Sequence, residues 1–174
     1  MTSSLYDISV IPYRQTVDAM TGILEKGAEH CQQAGIDLDE LVNFSLWEDM
    51  LPFSFQIHSV VHHSLNSLKG VESGKFGPPK DLPELDYAGL QQLIADTSAA
   101  LAQYNREQVD AMAGGEVLFS IGENYKLPFT TENFVLTFSM PNLHFHATTA
   151  YDILRMKGVP LGKLDFMGQM QLKK

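Results

Sequence analysis

The stretch Thr131 to Lys157, TENFVLTFSMPNLHFHATTAYDILRMK, carries the clearest periodicity in the chain, and the fold is read outward from it. At about 100° per residue, Leu136, Met140, Leu143, Ala147, Ala150, Tyr151 and Leu154 fall on one face of a helix. A second apolar stripe, Phe134, Phe138 and Phe145, runs roughly opposite. A helix apolar on two sides is covered on two sides. This segment is therefore expected to pack into its own helical bundle and also against something else, with Pro141 bending it.

Upstream, Leu5, Ile8, Pro12, Thr16, Ala19, Ile23, Gly27 and His30 recur at helical spacing, which predicts one long helix from Ser4 to Ala34, bent near Pro12 and stopped by Gly35. Asp37 resembles a cap for a short turn through Val42. A second helix is expected from Asp49 or Pro52 to Lys69, closed by Gly70, with His58 and His62 on its apolar side and His63 turned away. The Gly- and Pro-rich run VESGKFGPPKDLPELD then reads as an ordered surface connection. Asp86 caps a third helix reaching Met112, whose small residues Ala95, Ala99 and Ala102 permit close approach. Val117 to Ile121 and Tyr125 to Phe129 flank Gly122, Glu123 and Asn124 as a β-hairpin. An isolated hairpin is marginal in water, so it needs a surface, and the Phe134/Phe138/Phe145 stripe is a candidate. After Gly158 the tail shows no helical period and is expected to wrap back over the bundle.

Composition bounds the answer. The 174 residues are expected to form a single domain, residues 1–174, able to bury a core without staples. No apolar run approaches the ~18 residues of a membrane span, and MTSSLYDISV lacks the features of a signal peptide. A cytoplasmic location and no membrane partner are expected. The lone cysteine, Cys31, reads as a small packed side chain. Net charge is −9, with five cations against Asp165 between residues 155 and 174, a local +4 that leaves −13 on the rest. An acidic body repels phosphate backbones, which disfavours nucleic acid as a partner. The basic tail could instead lie on that body or on a partner's.

Chemistry centres on the six histidines. Placing the second and last helices parallel, in an up-down-up-down bundle, brings His58 and His146 to similar depth, since each lies 12 residues before a glycine, Gly70 and Gly158. His62 is one turn from His58. Imidazoles from His58, His62 and His146 could together hold a divalent metal such as Zn or Ni and leave a position for water or substrate. The plainer reading is that histidines flanking an apolar helix face are packed and hydrogen-bonded. His144 and His146, two residues apart, cannot face one site, and His146 is the inward one. His30 and His63 read as surface residues. Gly158-Val-Pro-Leu-Gly162-Lys163 is a residue short of a phosphate loop and follows a helix, not a strand, and no nucleophile elbow or structural zinc spacing is present.

Glu48 to Gln56 (EDMLPFSFQ), Pro141 to Lys163 (PNLHFHATTAYDILRMKGVPLGK) and Asp165-Phe166 resemble an uncharacterised bacterial family within the DinB/YfiT-like superfamily. The resemblance implies an all-α fold, a four-helix bundle ordered up-down-down-up or similar, here with a small β-hairpin before the last helix, and often a homodimer. Better-studied relatives bind a divalent metal through one histidine of the second helix and an H-x-x-x-H pair of the last; some are thiol transferases or hydrolases. In this chain the pair is broken: Ala150 follows His146 by four residues, and Thr148 follows His144. Two readings stand. One is a non-catalytic or small-ligand-binding homodimer; the other is a divalent-metal-dependent enzyme using His58, His62 and His146. A pH-sensing role for the histidines rests on composition alone.

Overall fold

Ser4 opens the first helical turn: its hydroxyl accepts from the Asp7 amide while the Asp7 carboxylate accepts from the Ser4 amide. The computed structural model describes residues 3–173, so Lys174, counted above with the basic tail, lies outside the described residues. The expected first helix is split into α1 (Leu5–Ile8) and α2 (Val10–Ala34), with the break at Ser9. Pro12 explains the position of the break. It has no N–H for the Ile8 carbonyl and its ring crowds that oxygen, so the chain restarts at Ser9 and Pro12 falls in a first turn, where the missing donor costs little. Gly35 ends α2 in the left-handed region, φ 66°. Asp37 caps α3 (Leu38–Val42) as expected.

The second helix begins after Pro52 as α4 (Phe53–Val61), widens into a π-helical turn at His62–Asn66, and continues as α5 (Ser67–Ser73) to Gly74. Gly70 is therefore not its stop. A Cβ at Gly70 would lie 2.8 Å from the Phe76 ring, so the glycine serves close packing rather than termination. The connection after Gly74 holds a strand with no periodicity to betray it: β1 (Lys75–Phe76) pairs in parallel with Leu118 and Phe119. Asp86 caps α6 (Tyr87–Leu101), accepting from the Gly89 amide at 2.7 Å. The third helix was expected to reach Met112 but stops at Leu101. Asn105 caps a separate α7 (Arg106–Asp110), which is drawn onto α1 by the Asp7–Arg106 ion pair and by the Tyr6 amide donating to Asp110.

β2 (Glu116–Ile121) and β3 (Tyr125–Thr130) form the expected hairpin, antiparallel with Ile121 opposite Tyr125. Beneath the sheet, Phe76, Phe119 and Phe129 meet Phe134 and Phe138, whose centroids lie 5.6 Å apart. The first two members of the second aromatic stripe thus carry the sheet. Phe145, 57% exposed, does not.

The last helix runs as α8 (Thr131–Asn133), a second π-helical turn (Phe134–Ser139) and α9 (Met140–Met156). The widened turn sits just ahead of Pro141, whose ring would clash with the Thr137 carbonyl in a regular helix. Its extra residue shifts the faces on either side. Leu136, expected inward with Leu143, is 50% exposed, whereas Phe134, Val135 and Ser139 are fully buried.

Three sets of contacts fix the helix directions. The Tyr13 hydroxyl meets Ser139 while Gly27 lies against Leu154, so α2 and the last helix run the same way. Gln56 meets His146 while Ser67 meets Ser139, so the second and last helices run oppositely, not in parallel. Tyr87 donates to the Leu24 carbonyl while Ser98 reaches Asp18, so α6 opposes α2. The order is up-down-down-up. After α9, a short helix α10 (Lys163–Met167) lies along α2, held by Lys26–Asp165 and by Gln15 donating to the Met167 carbonyl. The tail covers the body as expected, but this ion pair has the opposite polarity: the tail supplies the acid.

Candidate functional site: a histidine row beneath a strap

His58 sits in α4, and His62 and His63 open the π-helical turn. In a regular helix His63 would stand about 100° from His62. The wide turn brings both inward, and all three histidines are buried, with 7 to 8% exposure. Backbone groups released by the turn find partners. Ser64 donates to the Val60 carbonyl at 2.6 Å, and Ser139 donates to the His63 carbonyl at 2.7 Å. Tyr13 in turn donates to Ser139, also at 2.7 Å. The two π-helical turns therefore meet across a polar seam inside the core, and burial lifts the Tyr13 hydroxyl well above its ordinary pKa.

The segment Gly77–Pro83 crosses over this helix as a strap, pinned at both ends. His62 Nε2 lies 2.9 Å from the Gly77 carbonyl oxygen and His58 Nε2 lies 3.1 Å from that of Pro83. A carbonyl only accepts, so each Nε2 carries its proton and donates. Burial lowers both pKa values, partly offset by those same carbonyls, which keeps the imidazoles neutral. Asp81, inside the strap, holds φ at 50°, a region that aspartate tolerates better than most residues.

His146 faces the same helix from α9. Its Nδ1 is 2.8 Å from Gln56 Oε1, and Gln56 Nε2 donates to the Leu51 carbonyl at 2.8 Å, which orients the amide and makes His146 Nδ1 the donor. Burial, then the nearby His62, lowers the His146 pKa to about 4. Between them lies His63, stacked on His146 at 5.7 Å and edge-on to His62 at 5.0 Å. Phe76 and Phe138 close its other sides. Its Nδ1 is buried without a partner among the described residues. Burial first, then His62 and His146, lowers the His63 pKa to about 3.

Of the residues expected to form a metal set, His62 and His146 both approach His63, while His58 is held at the far end of the strap. The Nε2 atoms of His58 and His62 are protonated and occupied by carbonyls. Among the described residues no three His, Cys, Asp or Glu side chains stand where they could hold a metal ion. The carbonyl bonds leave Nδ1 as the lone-pair nitrogen of His58 and of His62. His63, expected at the surface, is instead the centre of the row, because the π-helical turn is invisible to a 3.6-residue reading. Gln56 was missed as well: nothing in its spacing marks the acceptor that His146 uses. His30 is half-buried, its Nε2 3.3 Å from the Lys157 carbonyl oxygen. Cys31 is fully buried, as expected, and burial raises its thiol pKa.

Two cavities flank the His58–Pro83 contact. One, of about 530 Å³, lies under the strap between His58, His62 and Leu93. The other, of about 580 Å³, lies beyond Pro83 toward Asp39 and Phe55.

The model of a family described as a domain of unknown function, DUF1993, matches residues 5–167. Among solved structures, the chain is similar to a DinB family member protein from Shewanella denitrificans. The two are 27% identical, with a TM-score of 0.81, over 98% of this chain and 95% of that one. No curated protein matches. No helix among the described residues is long and apolar enough to cross a membrane.

Proposed function

Since the chain belongs to the DUF1993 family and shares a DinB-like, helix-rich fold, we propose that it is a small-ligand-binding protein rather than an enzyme. In this reading α2, the α4–α5 helix, α6 and the last helix form a four-helix bundle, and the ligand enters the cleft under the Gly77–Pro83 strap. The observation that carries this is the pinning of both strap ends by neutral, protonated His58 and His62 above a cavity of about 530 Å³. Those imidazoles shape a wall; their proton-bearing Nε2 atoms are not free to act as bases or ligands. Titrating isotope-labelled protein with mixtures of small-molecule fragments tests the reading. Amide signals of residues 61–66, Gly77 and residues 80–82 should move together for the binders. Binders that shift only signals elsewhere would sink it.

The assembly we propose is a homodimer. Support comes from the outward face of the last helix, where Phe145 is 57% and Leu136 is 50% exposed. Light scattering at tens of micromolar should give twice the 19.4 kDa chain mass, and a clean monomer would refute it. A divalent metal such as Zn or Ni on His58, His62 and His146 would have to use Nδ1 of His58 and His62, since their Nε2 atoms donate to the strap carbonyls. Elemental analysis of untagged protein showing stoichiometric metal, lost in His146→Ala, would overturn the ligand-binding reading in favour of that one.

A further inference from the structure

Three elements each send one lysine to the cleft under the strap: Lys69 from α5, Lys75 from β1 and Lys80 from the strap itself. Only Asp81 opposes them in the lining, a local excess of two positive charges on a chain whose net charge is −9. The floor is apolar, from Val61, Phe76 and Leu93. Across the His58–Pro83 wall the second cavity has the opposite character, with Asp39, Glu84 and Asp86 and no lysine in its lining. The two spaces thus share a wall and differ in sign. His58 and His62, being neutral, add no charge to either, so the lysines alone set the sign of the first. From this juxtaposition we propose that the cleft beneath the strap selects a small organic anion, an apolar body carrying one carboxylate, sulfonate or phosphate group. The body lies on Phe76 and Leu93 while the anionic group meets the lysines at the rim, in a field that the protein's overall charge does not otherwise provide. This rests on the ligand-binding reading above and specifies its ligand class.

The test compares two probes with the same ring system, anilinonaphthalene sulfonate, which is anionic, and phenylnaphthylamine, which is neutral, each followed by fluorescence on the full chain. Exposed charge pairs contribute modestly one by one. Together, Lys69→Gln, Lys75→Gln and Lys80→Gln should weaken the sulfonate about tenfold, leave the neutral probe within about twofold, and flatten the salt dependence of sulfonate binding. Leu93→Trp, which enlarges a side chain on the cleft floor, should weaken both probes. Unchanged far-ultraviolet circular dichroism of each variant guards against misfolding. If the triple variant changes both probes alike, or neither, while Leu93→Trp weakens both, anion selection is wrong and the cleft remains a site for neutral ligands. If Leu93→Trp affects neither probe, or neither binds, the cleft is not a ligand site and both readings fall.

Discussion

Replacing His63 by Phe should flatten the pH dependence of stability. The imidazole has an unfolded pKa of about 6.5 and a folded value lowered to about 3, mainly by burial. Because the folded value is the lower one, the unfolded chain takes up the proton first. The contribution of His63 is therefore fully in place above about pH 6.5 and is lost as pH falls toward 3. At pH 4.5 about two units of that window have been crossed, which at about 1.4 kcal/mol per unit is a loss of roughly 2–3 kcal/mol relative to pH 7. His63 is only 7% exposed, so solvent screens this little. At pH 7 the Phe variant loses no hydrogen bond at the unpartnered Nδ1 and keeps a ring against Phe76, Phe138 and His146. The six-membered ring is larger than imidazole, so overpacking should cost about 1–3 kcal/mol there, an offset common to both pH values that leaves the pH dependence readable. Urea unfolding of both proteins at pH 7 and pH 4.5, with equal slopes checked first, gives the difference of differences. The variant should gain about 2–3 kcal/mol on the parent at the lower pH. A gap that is the same at both pH values would refute the reasoning, because it would mean that His63 titrates alike in the folded and unfolded chain.

Other substitutions probe the supports of the site. Gly70→Ala sets a Cβ 2.8 Å from the Phe76 ring; the gain in helix propensity of up to about 1 kcal/mol is outweighed by overpacking of about 1–3 kcal/mol, so the melting temperature should fall. A rise would mean that Phe76 can yield. Gln56→Leu strands His146 Nδ1 and the Leu51 carbonyl, a loss of about 1–3 kcal/mol measurable by urea unfolding; an unchanged midpoint would show that other partners replace the amide. Asp165→Asn removes the partner of Lys26, but both side chains are partly solvated, so a change of less than about 1 kcal/mol is expected. A larger loss in a thermal melt would mean that α10 is anchored mainly by that pair.

The differences between the sequence reading and the structure share a cause. Caps, hairpins and glycine stops are local: Asp37, Asp86, Gly35 and the hairpin at Gly122 were legible because a few adjacent residues supply the energetics. Periodicity also found the core of the last helix from Leu143 to Leu154. It failed at both π-helical turns, since one extra residue there shifts the faces by about one position. That shift carried Leu136 outward and His63 inward. The parallel placement of the second and last helices failed because similar spacing from a glycine does not encode direction; contacts between residues far apart, such as Gln56 with His146, decide it.

The helix-rich class with its hairpin, the acidic charge, the buried cysteine and the membership of histidines in the second and last helices are all legible without coordinates. These follow from residue type and short-range spacing. Tertiary structure alone decided which histidines meet, which nitrogen of each carries its proton, and where the three lysines converge. Burial and the identity of the facing carbonyl set those properties, and both are fixed by residues distant in sequence. For His62, the nitrogen that carries the proton is fixed by Gly77, fifteen residues away, whose carbonyl oxygen is 2.9 Å from Nε2.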